Sequence, residues 1–282
     1  MPNCLSIFLQ KCLPQHLISQ IFGWLARIRH PLPLKNWMIN HFIQKYQVDM
    51  SLAVIENVEA YPDFNHFFIR QLKTELRPIT ADKHAIISPV DGSIAQIGKI
   101  HKNQLLQAKD FYYDLETLLG GDKTLANLFY DGSFATLYLA PRDYHRVHMP
   151  LSGKLIKSIY IPGKLFSVNK MTSEIIPHLY TRNERLVTVF ETEAGCMAVI
   201  LVGAIIVGNI QTVWMDKPVR SKRARTSLPS TDLYLDKGAE LGYFTMGSTV
   251  IVLFEKNKSI LSPTLQTEST VKMGQLLANI LI

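Results

Sequence analysis

Cysteine is scarce in this chain. Its 282 residues hold three, Cys4, Cys12 and Cys196, an odd number with no CxxC spacing. That argues against a disulfide framework and fits a reducing, cytoplasmic compartment. Charged residues are also few, at 19% against 47% hydrophobic. Such a balance is too apolar for a disordered chain and enough to bury a real core, in one large domain or two small ones. No stretch approaches the roughly 20 apolar residues that a bilayer-spanning helix needs. The start lacks a basic leader segment, and Lys11, His16 and Arg27 interrupt any apolar run, so no signal peptide is expected. HExxH and GxSxG motifs, internal repeats and low-complexity segments are absent as well.

What is present is a net charge of +7. Nucleic acid and an anionic membrane surface are both open as partners on charge alone. The distribution favours the membrane. Residues 1–50 carry Lys11, Arg27, Arg29, Lys35 and Lys45 against the single acid Asp49. Two amphipathic helices are expected there, over 15–29 and 33–46, parted by Pro31 and Pro33, with Pro33 suited to a first helical turn. Apolar faces bearing Trp24 and Trp37 beside basic residues suit an interfacial helix; two surface helices packed on a core are the plainer alternative. A basic loop, 215–235, contains Lys217, Arg220, Lys222, Arg223 and Arg225. It reads as a solvated loop or as a contact for phosphate or anionic lipid. No nucleic-acid motif or interleaved aromatic accompanies it, so no nucleic-acid role is expected.

Beyond residue 50 a further helix is expected from Ser51 towards Tyr61, and another over Phe64 to Leu72 with Asp63 as its cap. Pro78 closes this helical third. Short β-branched runs then dominate: Ile86-Ile87, Ser93 to Ile97, Phe134 to Leu139, Leu155 to Ile161, Val187 to Glu191, Met197 to Val207 and Thr249 to Glu255. A helical insertion is expected at 111–129. The fold class is α+β, an N-terminal helical layer packed on a mostly antiparallel β core. The chain is expected to divide into amphipathic, membrane-associating helices over 1–50 and an α+β domain over 51–282.

Four segments are richer in small and polar residues than strands require: 88–92 (SPVDG), 144–150 (YHRVHMP), 162–169 (PGKLFSVN) and 242–249 (GYFTMGST). Each has a dull explanation. Asp91-Gly92 is a turn dipeptide. His145 and His148 are three apart, a metal-ligand spacing only on a helix, and Met149-Pro150 follows at once. Gly247-Ser248 can be a bend into a strand. Together, Asp91, His148 and Ser248 supply an acid, a base and a hydroxyl nucleophile, a grouping that spacing alone leaves as a guess.

These segments, in this order, resemble the proteobacterial type of phosphatidylserine decarboxylase. The family's LGST cleavage motif stands here as Met246-Gly247-Ser248-Thr249, and the RNER segment (182–185), Val202-Gly203-Ala204 and Val207-Gly208 also match. The resemblance runs from about residue 50 to the end, and is weaker in the first 50 residues and in 215–235. It implies a proenzyme that cuts itself between Gly247 and Ser248 into a large chain, 1–247, and a small chain, 248–282. Ser248 then becomes a covalent pyruvoyl group that decarboxylates phosphatidylserine to phosphatidylethanolamine through a Schiff base. It further implies His148 as the cleavage base oriented by Asp91, Thr249 helping to position the scissile amide, and His145 as proton donor in decarboxylation. No metal is implied. Phe166, Ser167 and Asn169 are expected at the lipid site. A homodimer and a peripheral place on the cytoplasmic side of the cell membrane complete the expectation.

Overall fold

The structure is a computed structural model that describes residues 15–205, 209–218, 221–229, 232–245 and 248–281. Cys4, Cys12, Val207, Gly208, Arg220, Met246 and Gly247 lie outside the described residues.

Helix α1 (Gln15–Leu25) and helix α2 (Leu32–Tyr46) form where apolar side chains recur at helical spacing, with Pro33 in the first turn of α2. The helix expected from Ser51 is absent. Two 3-10 turns replace it, Met50–Leu52 and Val58–Ala60, because Asp49 and Asn57 each accept a hydrogen bond from a backbone N–H two residues on. Such local side-chain bonds compete with helix propagation. Helix α3 (Phe64–Phe68) starts as expected at Asp63, whose carboxylate accepts from the His66 N–H at 3.0 Å. It stops at Phe68, short of Leu72, where the Ile69 carbonyl accepts from Arg146 Nε and Leu72 bridges Ala53 instead. Ala26, Ile39, Val48, Tyr61, Phe64, Phe67 and Phe68 bury one another in a small core of their own. That core runs through residue 50, where a domain boundary was expected.

The strands follow in chain order. β1 (Ala85–Ile87), β2 (Gly92–Lys99), β3 (Gln104–Ala108) and β4 (Phe111–Asp114) come first. Residues 111–129 are therefore only partly helical. β4 pairs with β3, and two short helices follow, α4 (Leu115–Leu118) and α5 (Lys123–Leu128), capped by Asp114 and Asp122. Next are β5 (Ser133–Leu139), β6 (Arg146–His148) and β7 (Gly153–Ile161), then α6 (Lys170–Ser173) and α7 (Leu179–Arg182). The chain goes on through β8 (Arg185–Thr192), β9 (Gly195–Gly203), β10 (Ile210–Thr212), β11 (Arg225–Ser227) and β12 (Tyr234–Leu235). It ends with β13 (Glu240–Phe244), β14 (Ser248–Phe254), β15 (Ser259–Leu261), β16 (Thr270–Val271) and β17 (Leu276–Ile280).

The main sheet has the order β11-β7-β8-β9-β14-β5-β2-β16, with β12 also on β7, and every pairing is antiparallel. The expected α+β class is what the chain adopts. β9 and β14 are buried along nearly their whole lengths, which is why both read as continuous apolar runs rather than alternating ones. A second sheet has the order β10-β13-β6, and a third the order β1-β17-β15.

One buried side chain ties these parts together. Asn183, between α7 and β8, accepts from the Phe166 N–H at 3.1 Å and donates to the carbonyls of Phe166 at 2.8 Å and Gly203 at 2.9 Å. It pins segment 162–169 to the end of β9. Asn183→Ala leaves these groups buried without partners, so it should lower unfolding free energy by about 2–3 kcal/mol, measured by urea denaturation.

Candidate active site

Ser248 opens β14 at the middle of the main sheet, paired with Leu139 of β5 on one side and Gly203 of β9 on the other. It is fully buried, and its Oγ has no hydrogen-bond partner among the described residues. An unpaired buried hydroxyl costs free energy and marks a place where something other than stability is served. Thr249 is equally buried, but strand alternation turns it to the opposite face, away from the side that Ser248 uses. The expectation that Thr249 positions the scissile amide is not supported by that geometry.

His145 lies beyond the end of β5, where Ala140 and Asp143 close a tight turn through two hydrogen bonds. Its ring is 0% exposed and stacks on Phe68 of α3, with centroids 4.1 Å apart. Among the described residues neither ring nitrogen has a partner in good hydrogen-bond geometry. Burial, reinforced by the Arg70 charge, pushes its pKa down to about 3, and the nearby carbonyls of Pro141 and Ala140 act the other way. Arg70 is itself 4% exposed; its Nη2 donates to the Arg142 carbonyl, while Nε and Nη1 have no partner among the described residues.

His148 sits in β6 with its Nδ1 2.8 Å from the Gly238 carbonyl and its Nε2 2.9 Å from the Tyr144 hydroxyl. Burial lowers its pKa, against the raising effect of that carbonyl. In an extended segment, a three-residue spacing sends the two histidines to opposite faces, so they do not converge on one ion.

Asp91 does not orient His148 through a hydrogen bond. Its two oxygens accept from Arg77 Nε at 2.9 and 3.1 Å and from Arg77 Nη2, and Oδ1 also accepts from the Met273 N–H at 2.9 Å. A buried carboxylate needs this pairing, and the guanidinium fork satisfies it better than one imidazole nitrogen can. The Asp91 charge still favours the protonated form of His148 at a distance.

The residues expected at the lipid site have structural partners of their own. Phe166 is buried, bonded through its backbone to Asn183 and lying under Arg182 at 4.8 Å. Asn169 caps α6, accepting from the Thr172 N–H, and the Ser167 carbonyl accepts from the Thr172 hydroxyl. The neighbouring cavity, about 700 Å³, is lined instead by Pro162, Gly163 and Leu165, with His16, Trp24 and Arg27 on and after α1 and Lys222 of the basic loop. Leu165 links it to the reaction centre: a side chain at Gly203, directly opposite Ser248, would meet Leu165 Cδ2 at 3.5 Å.

Phe68, Arg70, Arg77 and Gly238 are not singled out by the sequence, and Tyr144 enters it only as the first residue of the segment 144–150. An arginine inside the aromatic run 64–72 is a signal for Arg70. Because the folded protein holds His145 near pKa 3 while the unfolded chain titrates near 6.5, only the unfolded chain takes up this proton between those values. Stability is therefore lost as pH falls from about 6.5 towards 3. His145→Phe, which preserves a ring against Phe68, should flatten that part of the stability curve, measured by urea melts across the window.

A family model described as phosphatidylserine decarboxylase matches residues 64–279, and one described as PSD matches residues 5–47. The chain is 48% identical over 269 residues to the phosphatidylserine decarboxylase proenzyme of Coxiella burnetii (strain RSA 493 / Nine Mile phase I), covering 95% of each. It is 45% identical over 275 residues to that of Bordetella petrii, again 95% of each, and 48% identical over 271 residues to that of Azotobacter vinelandii, 94% of each. With a match of this length and identity, the chain belongs to the phosphatidylserine decarboxylase family.

Proposed function

We propose that this phosphatidylserine decarboxylase makes its own reactive group by cutting itself between Gly247 and Ser248. The observation that carries the reading is the Ser248 hydroxyl, buried, unpartnered and fixed at the first position of a central strand. In the cut, His148 Nε2 takes the Ser248 Oγ proton as Oγ attacks the Gly247 carbonyl carbon. The C–N bond breaks as the Ser248 nitrogen takes the proton back from Nε2, and an ester forms. Loss of the Ser248 Cα proton then expels the Gly247 carboxylate, and water converts the remaining dehydroalanine to a ketone with release of ammonia. Glycine before the serine leaves the carbonyl open to attack.

The surroundings fit a pyruvoyl group at position 248. The site is buried, and His145 and Arg70, each with two nitrogens unpartnered among the described residues, lie near the end of β5 that pairs with Ser248. A pyruvoyl carbonyl supplies an electron sink for the bond to the departing carboxylate. His145 serves proton return to the substrate Cα. A ring whose protonated form is this disfavoured gives up a proton readily once it has received one.

Substrate reaches this centre from the membrane face of α1. Leu17, Ile21 and Trp24 recur at i, i+4 and i+7 and are 54%, 49% and 68% exposed. They form an apolar stripe of the kind that settles into a bilayer interface. α1 is docked on segment 162–165 by His16, which bonds the Gly163 carbonyl, and by Gln15, which accepts from the Leu165 N–H. The 700 Å³ cavity thus lies between the lipid-facing helix and Leu165, with Arg27 and Lys222 on its wall for an anionic headgroup. No helix among the described residues is long and apolar enough to cross a membrane. Peripheral attachment lets the lipid enter without the cost of leaving the bilayer, roughly 0.8 kcal/mol per CH₂.

Intact mass is the decisive measurement. The folded wild-type protein should yield a small chain of about 35 residues, and a single uncut 32 kDa chain would overturn the proposal. Ser248→Ala and His148→Ala should both stay uncut. His145→Ala should still cut itself yet lose decarboxylation by about 10²–10⁴-fold. Replacing Leu17, Ile21 and Trp24 by serine should weaken sedimentation with phosphatidylserine vesicles, while the purified variant keeps its cleavage.

A further inference from the structure

His148 is engaged at both ring nitrogens, and the two contacts have opposite senses. The Gly238 carbonyl, 2.8 Å from Nδ1, can only accept, so Nδ1 carries the ring proton and Nε2 keeps the lone pair. The Tyr144 hydroxyl, 2.9 Å from Nε2, therefore donates into that lone pair. The two rings also lie face to face, 5.6 Å apart and 29° from parallel. Tyr144 is buried, and burial raises its pKa, so the phenol stays a protonated donor. Asp91 touches neither nitrogen, because Arg77 and the Met273 N–H occupy its oxygens.

We propose that Tyr144 is the positioning residue of the self-cleavage base, setting the plane of His148 and tuning the proton affinity of Nε2. This rests on the reading of His148 as that base. Tyr144 then does for the imidazole what a carboxylate does in a serine-histidine-aspartate triad, but from the opposite nitrogen and with the opposite effect. A carboxylate supports the imidazolium; a phenol donating to Nε2 stabilises the neutral ring. At the moment of cleavage, the Tyr144 hydroxyl keeps its proton and only its hydrogen bond to Nε2 breaks. The Ser248 Oγ–H bond breaks, the Nε2–H bond forms, and Oγ bonds the Gly247 carbonyl carbon as the C=O π pair moves onto the carbonyl oxygen.

The charged groups facing the pair are known. Glu240 and Asp91 favour the protonated His148, and Arg146 opposes it; Arg77 faces Tyr144 beside Asp91. All four stay in place when only the hydroxyl is removed. Tyr144→Phe keeps the stacked ring and deletes the donor, so any change in His148 titration reports the hydrogen bond itself.

The test has two readings. In the full chain carrying Ser248→Ala, which is expected to hold the protein uncut, the His148 titration is followed by NMR with and without Tyr144→Phe. In the otherwise wild-type chain, the rate of cut-product formation is followed on refolding across a pH series. Losing one hydrogen bond to the neutral ring should raise the titration midpoint by roughly half to one pH unit. The acid limb of the cleavage profile should move to higher pH by the same amount. Midpoints and limbs that coincide with the parent protein would overturn the proposal. If Tyr144→Phe fails to fold, 3-fluorotyrosine placed at position 144 is the second probe. Its more acidic phenol should lower the His148 midpoint, and an unmoved midpoint would count equally against the role. His148→Ala separates the two claims. Cleavage at the parental rate removes the base assignment itself, whereas blocked cleavage beside an unmoved Tyr144→Phe midpoint removes only the positioning role.

Discussion

The site depends on polar groups buried without the partners that burial normally demands. Ser248 Oγ, both nitrogens of His145 and two nitrogens of Arg70 are in this condition. Each is costly, on the order of 1–3 kcal/mol, and such groups rotate or draw in water unless the frame around them is stiff. The frame here is the ladder of β5, β14 and β9, where Ser248 has a hydrogen-bonded strand on each side. The helical layer supplies the remaining face, with Phe68 closing over His145 and Arg146 bonding the Ile69 carbonyl. Phe68 shares its small core with Ala26 of the N-terminal segment and Ile39 of α2, so that segment packs on the same cluster that covers His145.

Much of this was legible in the sequence, and what was not has physical causes. The strands were visible because their β-branched runs sit where burial on both faces requires them. The start of α3 was visible because a cap is a local interaction between Asp63 and His66. The turns at Asp49 and Asn57 defeated the helix expected after Ser51: the same side chains that cap a helix can also close a shorter turn. At the site, the sequence exposed residue types but not their partners. Asp91 and His148 are compatible as an acid and a base, yet Arg77 and Gly238 claim them. Phe166 and Asn169 stand in a motif that shapes the cavity, but they build its support while Pro162, Gly163 and Leu165 line it.

Two histidines three residues apart end in unlike environments, a difference that suits the separate roles proposed for them. His148 has both nitrogens engaged, beside Glu240 and Asp91, whose charges tolerate an imidazolium. His145 has neither engaged, beside a buried guanidinium that does not. Strand geometry alone produces this, because residues an odd number apart face opposite sides.

The position of β14 has a consequence for what a cut at Ser248 leaves behind. Residues C-terminal to it supply the central strand β14, the edge strand β16 on β2, β17 beside β1, and β15 on the far side of β17. A severed backbone would thus leave a fragment threaded through two sheets of the larger piece, with no route out short of global unfolding. Covalent connectivity and structural connectivity part company at that bond. The two polypeptides would behave as a single folding unit, and the freshly made chain end would be held in the core by neighbours that never belonged to its own strand.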